Sequence, residues 1–260
     1  MCLYVFVSSL LYVIFKFVNE KINFIKIYDY TNSVMIIVVN NSNRNREVLN
    51  NLRKSKRMME GSKKCMTKKL DNQTRTKFVT DKLLDYLKKN NIPFKNVTSS
   101  QQMKKILKSK EKVDGIILGG SNLKYSNKLC ACSINNNIIS LLEFDVPILG
   151  ICFGFQTLSM AYGGNVKAMK KMETRRKPVQ LKKSKLFKGL DKVERFKFMH
   201  GDFVEAPPFS FKVIAKTKNG MIQGIEHKEK NIFGVQFHPE ISGKAGEKLL
   251  DNFLKLCGQF

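Results

Sequence analysis

The hydrophobic positions along the chain follow two alternating patterns. Short continuous apolar runs at residues 35–40, 113–118 and 146–151 are typical of strands buried on both faces of a sheet. Apolar residues at helical spacing predict helices over residues 75–90, 101–110, 133–144, 155–162 and 245–257. This alternation predicts an α/β fold, a single domain whose mostly parallel sheet is flanked by helices.

Two segments depart from the alternation. Residues 44–74 are polar and strongly basic and lack apolar periodicity, so we expect them to form an inserted loop. Residues 166–237 carry short extended runs separated by turn residues such as Asn219 and Gly220, a pattern typical of short strands. We therefore assign residues 35–260 to one domain with a basic insertion at residues 44–74.

The strong positive charge of the chain does not by itself predict a nucleic-acid partner. The 260 residues include 47 Lys and Arg against 21 Asp and Glu, a net charge of +26 that can attract nucleic acid or an anionic surface. The basic residues are mostly Lys and occur with abundant Asn and Ile, as an A/T-rich coding sequence would produce. Because the chain has no Trp and no aromatic–basic interleaving, we predict no specific nucleic-acid partner.

The six cysteines form no paired framework, which favours a reducing, cytoplasmic location for a chain of this size. Cys130 and Cys132 are close enough to suggest a metal site. No second Cys or His pair lies near them in the sequence, so we predict no bound metal.

One cysteine, Cys152, lies between two glycines. Residues 150–156 read Gly-Ile-Cys-Phe-Gly-Phe-Gln, after an apolar run and before a helical one. A strand, a sharp turn and a helix in this order form the nucleophile elbow of hydrolases, here with cysteine in place of serine. Gly150 and Gly154 are needed because a side chain at either position would collide as the backbone turns.

A second motif offers a general base. Residues 234–240 read Gly-Val-Gln-Phe-His-Pro-Glu, and Pro239 favours an extended conformation for His238. On an extended segment His238 and Glu240 face the same way, so the carboxylate can orient the imidazole. Cys152, His238 and Glu240 together predict a nucleophile, a base and an orienting acid for acyl transfer.

A third motif supports a resemblance to a known family, because residues 114–120 read Asp-Gly-Ile-Ile-Leu-Gly-Gly. In their order and separations the three motifs resemble those of the triad (class I) glutamine amidotransferases, from about Met35 to the C-terminus. The resemblance implies a flavodoxin-like sheet and the hydrolysis of L-glutamine to glutamate and ammonia. It assigns catalysis to Cys152, His238 and Glu240.

The resemblance also implies an oxyanion hole and substrate contacts. The oxyanion donors would be the backbone N–H groups of Gly120 and of Phe153, the residue after the nucleophile. Gln156 lies one helical turn after Cys152, where its amide could meet the substrate. Gly201 and Asp202 match a segment whose backbone holds the amino-acid end of glutamine.

Within the family, local motifs are similar to those of the GMP synthase glutaminases. Residues 198–202 read Phe-Met-His-Gly-Asp, close to the Met-Ser-His-Gly-Asp segment of those proteins, and residues 252–258 are also similar. This similarity implies that the ammonia converts XMP to GMP on an ATP pyrophosphatase (synthetase) subunit in trans. ATP and Mg would bind to that partner, so we expect no cofactor in this chain.

Two other classes of function stay open at this point. The first is a stand-alone γ-glutamyl hydrolase or peptidase, or the glutaminase of another amidotransferase. The second is a non-catalytic binding protein that uses the basic insertion.

Residues 1–34 form an apolar N-terminal extension. Residues 1–15 carry no charge, and the segment lacks a basic leading region and a clear cleavage site. A membrane anchor, a signal-like segment and an untranslated extension all fit this pattern. In the family that the chain resembles, the first strand opens the chain, so we expect a start at Met35 or a dispensable extension. Membrane contact is expected only if the segment is an anchor.

Overall fold

The apolar runs predicted as strands form the centre of a mixed sheet. The computed structural model describes residues 35–39, 70–98, 111–121 and 144–258, together with residues 102, 105, 106, 108, 109, 124 and 125. The extension 1–34, residues 44–69 of the basic insertion and residues 133–143 of a predicted helix lie outside the described residues. Cys130 and Cys132 also lie outside them. The described residues belong to one compact unit.

The strands are short, and most of them pair in one sheet. Their bounds are β1 Ile36–Val39, β2 Phe94–Val97, β3 Gly115–Leu118, β4 Ile148–Ile151, β5 Asn165–Glu173, β6 Arg176–Leu181, β7 Val193–Lys197, β8 His200–Ala206, β9 Phe211–Lys216, β10 Ile222–His227 and β11 Ile232–Val235. Across the described residues, nine strands form a sheet of order β2-β1-β3-β4-β11-β10-β9-β6-β7. Strands β5 and β8 form a separate antiparallel ribbon.

The parallel part of the sheet brings the three sequence motifs to one edge. Strand β1 pairs in parallel with β2 and β3, β3 pairs with β4, and β4 pairs with β11. The carboxyl ends of parallel strands lie at the same edge, which is where α/β sheets bind ligands. Gly120, Cys152 and His238 follow the carboxyl ends of the neighbouring strands β3, β4 and β11. The predicted fold class is confirmed, with an antiparallel extension through β10, β9, β6 and β7.

Helices cover both faces of this sheet because the strands are apolar on both. The helices are α1 Leu70–Lys89, α2 Phe153–Ala161 and α3 Lys244–Leu256. Ile36 and Val38 of β1 pack in one core cluster with residues of α1 and α3. Ile37 and Val39, which point the other way, pack in a second cluster with residues of α2. The period of two along β1 therefore separates the two layers of the core.

The predicted boundaries were wrong mainly at helix α1. This helix begins at Leu70, inside the segment predicted as a loop, because a polar helical segment shows no apolar periodicity. Helices α2 and α3 lie within two residues of their predicted bounds. Of the predicted helix 101–110, the described residues 102, 105, 106 and 108 are helical. Among the described residues, no helix is both long and apolar enough to cross a membrane.

Candidate active site

Cys152 occupies a strained turn between strand β4 and helix α2. Its backbone has φ 53° and ψ −102°, a conformation that residues with a side chain rarely adopt. A Cβ on Gly154 would lie 2.0 Å from the carbonyl oxygen of Leu118, and one on Gly150 would lie 2.7 Å from the backbone of Gly154. The predicted need for both glycines is confirmed, because the neighbouring backbone leaves no room for a Cβ atom at either position.

His238 and Glu240 form a buried pair at the end of strand β11. Nδ1 of His238 lies 2.7 Å from Oε1 of Glu240, and both side chains are 3% exposed. His238 is extended as predicted, but Glu240 lies in a 3₁₀ turn, Pro239–Ile241. The expectation of one continuous extended segment was therefore wrong. The tight turn after Pro239, rather than strand alternation, brings the carboxylate back to the imidazole.

The charges around His238 favour its protonated form. Burial alone would lower the pKa of His238, but the charges of Glu240 and of the Cys152 thiolate outweigh burial and raise the pKa to about 10, so the imidazole keeps a proton that it takes from the thiol. Nε2 of His238 is buried, and the side chain of Cys152 interacts with the imidazole. With Nδ1 held by Glu240, Nε2 is the nitrogen available to accept a proton from the thiol.

Hydrogen bonds between side chains and the backbone fix the turn that carries Glu240. The hydroxyl of Ser242 donates to the carbonyl oxygen of His238 at 2.6 Å and accepts from the backbone N–H of Lys197 at 2.9 Å. The guanidinium of Arg176 donates to the carbonyl oxygens of Ile241, at 2.8 Å, and Ser242, at 3.0 Å. These bonds satisfy carbonyl groups at the end of the 3₁₀ turn, so the carboxylate is held in place by the antiparallel part of the sheet.

The two expected oxyanion donors lie beside the His238–Glu240 pair and Cys152. Phe153 is the first residue of α2, where a backbone N–H has no partner within the helix. Gly120 lies against the imidazole, because a Cβ built on it would be 3.2 Å from Cε1 of His238. The helix N-terminus also places a partial positive charge near the sulfur of Cys152.

Two of the residues expected to contact glutamine, Gln156 and Asp202, belong to a buried hydrogen-bond network. Nε2 of Gln156 donates to the carbonyl oxygen of Asp202 at 2.9 Å and to Oε1 of Gln236 at 3.1 Å. Gly201 and Asp202 lie in strand β8, and a Cβ on Gly201 would be 3.4 Å from Nζ of Lys124. The structure thus brings the three residues together, although the amide nitrogen of Gln156 is already bonded to the protein.

Sequence reasoning did not single out two residues that contact the nucleophile. The thiol of Cys152 donates to the carbonyl oxygen of Met199 at 3.6 Å, and Nε2 of Gln236 donates to the sulfur at 3.6 Å. A signal for Gln236 was present, because it lies two residues before His238 on an extended segment and so faces the same side. The contact at Met199 is made by a backbone carbonyl, which every residue has, so the residue type does not predict it.

His200 is a second buried histidine at the site, and it makes stability sensitive to acid. Nδ1 of His200 lies 2.8 Å from the carbonyl oxygen of Asp202, which can only accept, so Nδ1 carries the hydrogen. Burial lowers the pKa of His200 to about 4, and the charge of His238 acts in the same direction. In the unfolded chain the pKa is about 6.5, so the unfolded state binds the proton first as pH falls.

We therefore expect the free energy of unfolding to decrease as pH falls from about 6.5 towards about 4, by about 2–3 kcal/mol from this group. The His200→Gln variant cannot bind that proton and should lose less stability over the same range. Denaturant unfolding at pH 7, 5 and 4 measures the difference between the two proteins. An equal loss in parent and variant would contradict the assignment of acid sensitivity to His200.

Together the described groups can carry out covalent acyl transfer. A buried thiol lies next to an imidazole whose second nitrogen is held by a carboxylate, and the expected oxyanion donors lie beside them. Among the described residues there is no group of three or more His, Cys, Asp or Glu that could hold a metal ion.

Comparison with known proteins identifies the family. Residues 75–257 match the family described as Glutamine amidotransferase class-I. A GMP synthase [glutamine-hydrolyzing] of Clostridium kluyveri is 37% identical over 170 residues, which are 65% of this chain and 32% of that protein. The chain thus spans about a third of the length of that relative. A GMP synthase [glutamine-hydrolyzing] subunit from Methanococcus aeolicus is 35% identical over 178 residues, 67% of this chain and 88% of that protein.

Solved structures show the same fold at low sequence identity. A protein described as a GMP synthase subunit from Thermoplasma acidophilum has a TM-score of 0.64 and 20% identity, covering 88% of this chain and 96% of that one. A glutamine amidotransferase from Thermotoga maritima has a TM-score of 0.54 and 17% identity, covering 85% and 83%. The family match covers most of the chain, and residues 152, 238 and 240 lie within it. The chain therefore belongs to the class I glutamine amidotransferases.

Proposed function

We propose that this chain hydrolyses L-glutamine and supplies the ammonia for conversion of XMP to GMP, as the glutaminase subunit of a GMP synthase. The observation that carries the proposal is the meeting of Cys152, on its strained turn, with the buried His238–Glu240 pair. These bonds suit a proton transfer, because Glu240 holds Nδ1 and leaves the buried Nε2 of His238 for the side chain of Cys152.

The first half of the reaction forms a thioester. His238 accepts the thiol proton at Nε2, and the sulfur of Cys152 attacks the side-chain carbonyl carbon of glutamine. The carbonyl oxygen becomes negatively charged and is stabilised by the backbone N–H groups of Phe153 and Gly120. When the carbon–nitrogen bond breaks, the leaving nitrogen takes the proton from His238 and departs as ammonia.

The second half regenerates the thiol. His238 removes a proton from water as the water oxygen attacks the thioester carbon, and a second oxyanion forms in the same place. The carbon–sulfur bond then breaks, glutamate leaves, and the sulfur recovers the proton from His238. Glu240 stays ionised throughout and stabilises the imidazolium in both halves.

The ammonia acceptor is proposed from the relatives and from one segment. The Methanococcus relative is named as a GMP synthase subunit, and this chain covers most of its length. The segment of residues 198–202, whose sequence favours the same branch of the family, lies at the active site through the contact of Met199 with Cys152. ATP and Mg belong to the synthetase partner in this proposal, and XMP would bind there too.

The test is glutaminase activity with and without an ATP pyrophosphatase subunit. We expect slow turnover by the isolated chain and a clear rise when the subunit is added with ATP and XMP. The rise should be mainly in kcat, because docking of the subunit would fix the oxyanion loop around Gly120, which has no proline to stiffen it. As a control, the Cys152→Ala variant with the same subunit should form GMP from added ammonium but not from glutamine. Full turnover by the isolated chain that no such subunit changes would contradict the proposal and favour a stand-alone γ-glutamyl hydrolase.

A further inference from the structure

A buried glutamine side chain reaches the sulfur of Cys152. Gln236 follows strand β11, is 0% exposed, and its backbone N–H donates to the carbonyl oxygen of Gln223 at 2.9 Å. Its side-chain Nε2 lies 3.6 Å from Sγ of Cys152, within hydrogen-bond distance for sulfur. A buried amide would not be placed against a sulfur for packing alone, because its polar atoms must find partners.

The neighbouring amide of Gln156 fixes the direction in which Gln236 points. The carbonyl oxygen of Asp202 can only accept, so the nitrogen end of the Gln156 amide must face it. That nitrogen has a second hydrogen, which it donates to Oε1 of Gln236. With its oxygen engaged there, Gln236 must turn its nitrogen towards Cys152. The orientation of both amides follows from one backbone carbonyl.

The thiolate needs such a donor because the contact of the sulfur with Met199 becomes unfavourable when the thiol ionises. In the resting thiol, the S–H group of Cys152 donates to the carbonyl oxygen of Met199 at 3.6 Å. Once the proton has moved to His238, the negatively charged sulfur faces the lone pairs of that carbonyl. A hydrogen bond from an N–H group to the charged sulfur offsets this repulsion, and bonds to charged groups are stronger than bonds to neutral ones.

We propose that the side-chain amide of Gln236 is a catalytic hydrogen-bond donor to the Cys152 thiolate. Gln156 acts as a positioning residue that holds this amide in the donating orientation. The inference rests on the proposed role of Cys152 as the nucleophile. Gln156 therefore holds another side chain of the protein in place, in addition to the substrate contact expected from its position one helical turn after Cys152.

The test is the pH dependence of alkylation of Cys152 by iodoacetamide, measured by peptide mass spectrometry. Only the thiolate reacts, so the midpoint of the rate profile reports the ionisation of Cys152. Removing the donor in Gln236→Leu should move the midpoint upward by about one to two pH units. Gln156→Leu should produce a smaller shift in the same direction, because the amide of Gln236 is then free to turn. In glutamine hydrolysis, Gln236→Leu should lower kcat with little change in KM.

A matched control is available on the adjacent strand. Gln223 is also buried, with a side-chain oxygen that has no partner among the described residues, so Gln223→Leu removes a buried amide away from the sulfur. We expect no shift of the midpoint in this variant. If Gln236→Leu does not fold, Gln236→Asn keeps an amide but withdraws it from the sulfur and should also shift the midpoint upward.

An unchanged midpoint in folded Gln236→Leu or Gln236→Asn would overturn the proposal. Alkylation by a small reagent depends neither on a partner protein nor on glutamine. If the midpoint shifts but glutaminase activity is absent even with an ATP pyrophosphatase subunit, ATP and XMP, the result would therefore support the hydrogen bond from Gln236 to the thiolate and reject the proposed function.

Discussion

The Cys152→Ala variant is expected to lose glutamine hydrolysis by about 10⁴-fold or more while remaining folded. The reaction cannot form a thioester without the sulfur, and the remaining groups can only orient water. The side chain lies at the first turn of α2 and is small, so its removal leaves a limited cavity in the core. Initial rates of ammonia release, together with a denaturant unfolding curve for each protein, measure the two effects separately.

Cys257 provides the matched control for this variant. It is the other buried free cysteine of the described residues, and it lies at the end of helix α3. Burial, with a further contribution from Asp114, raises the pKa of the Cys257 thiol to about 12, so it is un-ionised at neutral pH. Cys257→Ala should keep the parent rate. Loss of activity in this variant as large as that in Cys152→Ala would contradict the assignment of the nucleophile.

The Glu240→Gln variant is expected to reduce kcat by about 10²–10⁴-fold. Glutamine keeps nearly the same shape, but it lacks the negative charge that stabilises the imidazolium of His238. Burial lowers the pKa of His238 and Glu240 raises it, so without the carboxylate the pKa falls back towards or below its ordinary value. The fraction of enzyme that holds the thiolate and the imidazolium together should fall with it.

The pH profile of the same variant provides a second test, for which the direction of the change is predicted. In the parent, His238 keeps its proton until the pH rises towards about 10. In Glu240→Gln the alkaline loss of kcat/KM should move to lower pH, because the imidazolium gives up its proton sooner. Glu229→Gln, which changes an exposed carboxylate between Lys228 and Lys230, is the control and should leave the profile unchanged. A profile of Glu240→Gln that matches the parent would contradict the role of Glu240.

The sequence predicts the strands and the sharp turn that carry the site well, because these features depend on residue type. The apolar runs before Gly120 and Cys152 predict buried strands, and the structure places both runs in the parallel part of the sheet. The glycines on either side of Cys152 predict a close backbone contact, which is confirmed by the 2.0 Å approach at Gly154. Each of these features requires a particular side chain, or none, at a fixed spacing.

Other features depend on backbone geometry, which residue types do not encode. The 3₁₀ turn after His238 is held by hydrogen bonds from the side chains of Arg176 and Ser242. Arg176 comes from another part of the fold, and Ser242 lies beyond the motif. The amide of Gln156 is engaged by Asp202 and Gln236, which lie 46 and 80 residues away along the chain. Spacing within a motif cannot reveal partners at such separations. The same limit explains why the pairing of β5 with β8 was not predicted.

The most direct test of the central claim, that Cys152 is the nucleophile, is covalent labelling with a glutamine-analogue electrophile. The glutamine-like end of the reagent binds in the substrate site, so the label reports the thiol that attacks glutamine and not merely an exposed one. After proteolysis, mass spectrometry should find a single adduct, on Cys152 alone among the six cysteines. Excess glutamine should slow its formation, and the Cys152→Ala variant should remain unlabelled. A label that persists in Cys152→Ala, or that forms on another cysteine at the same glutamine-sensitive rate, would contradict the claim.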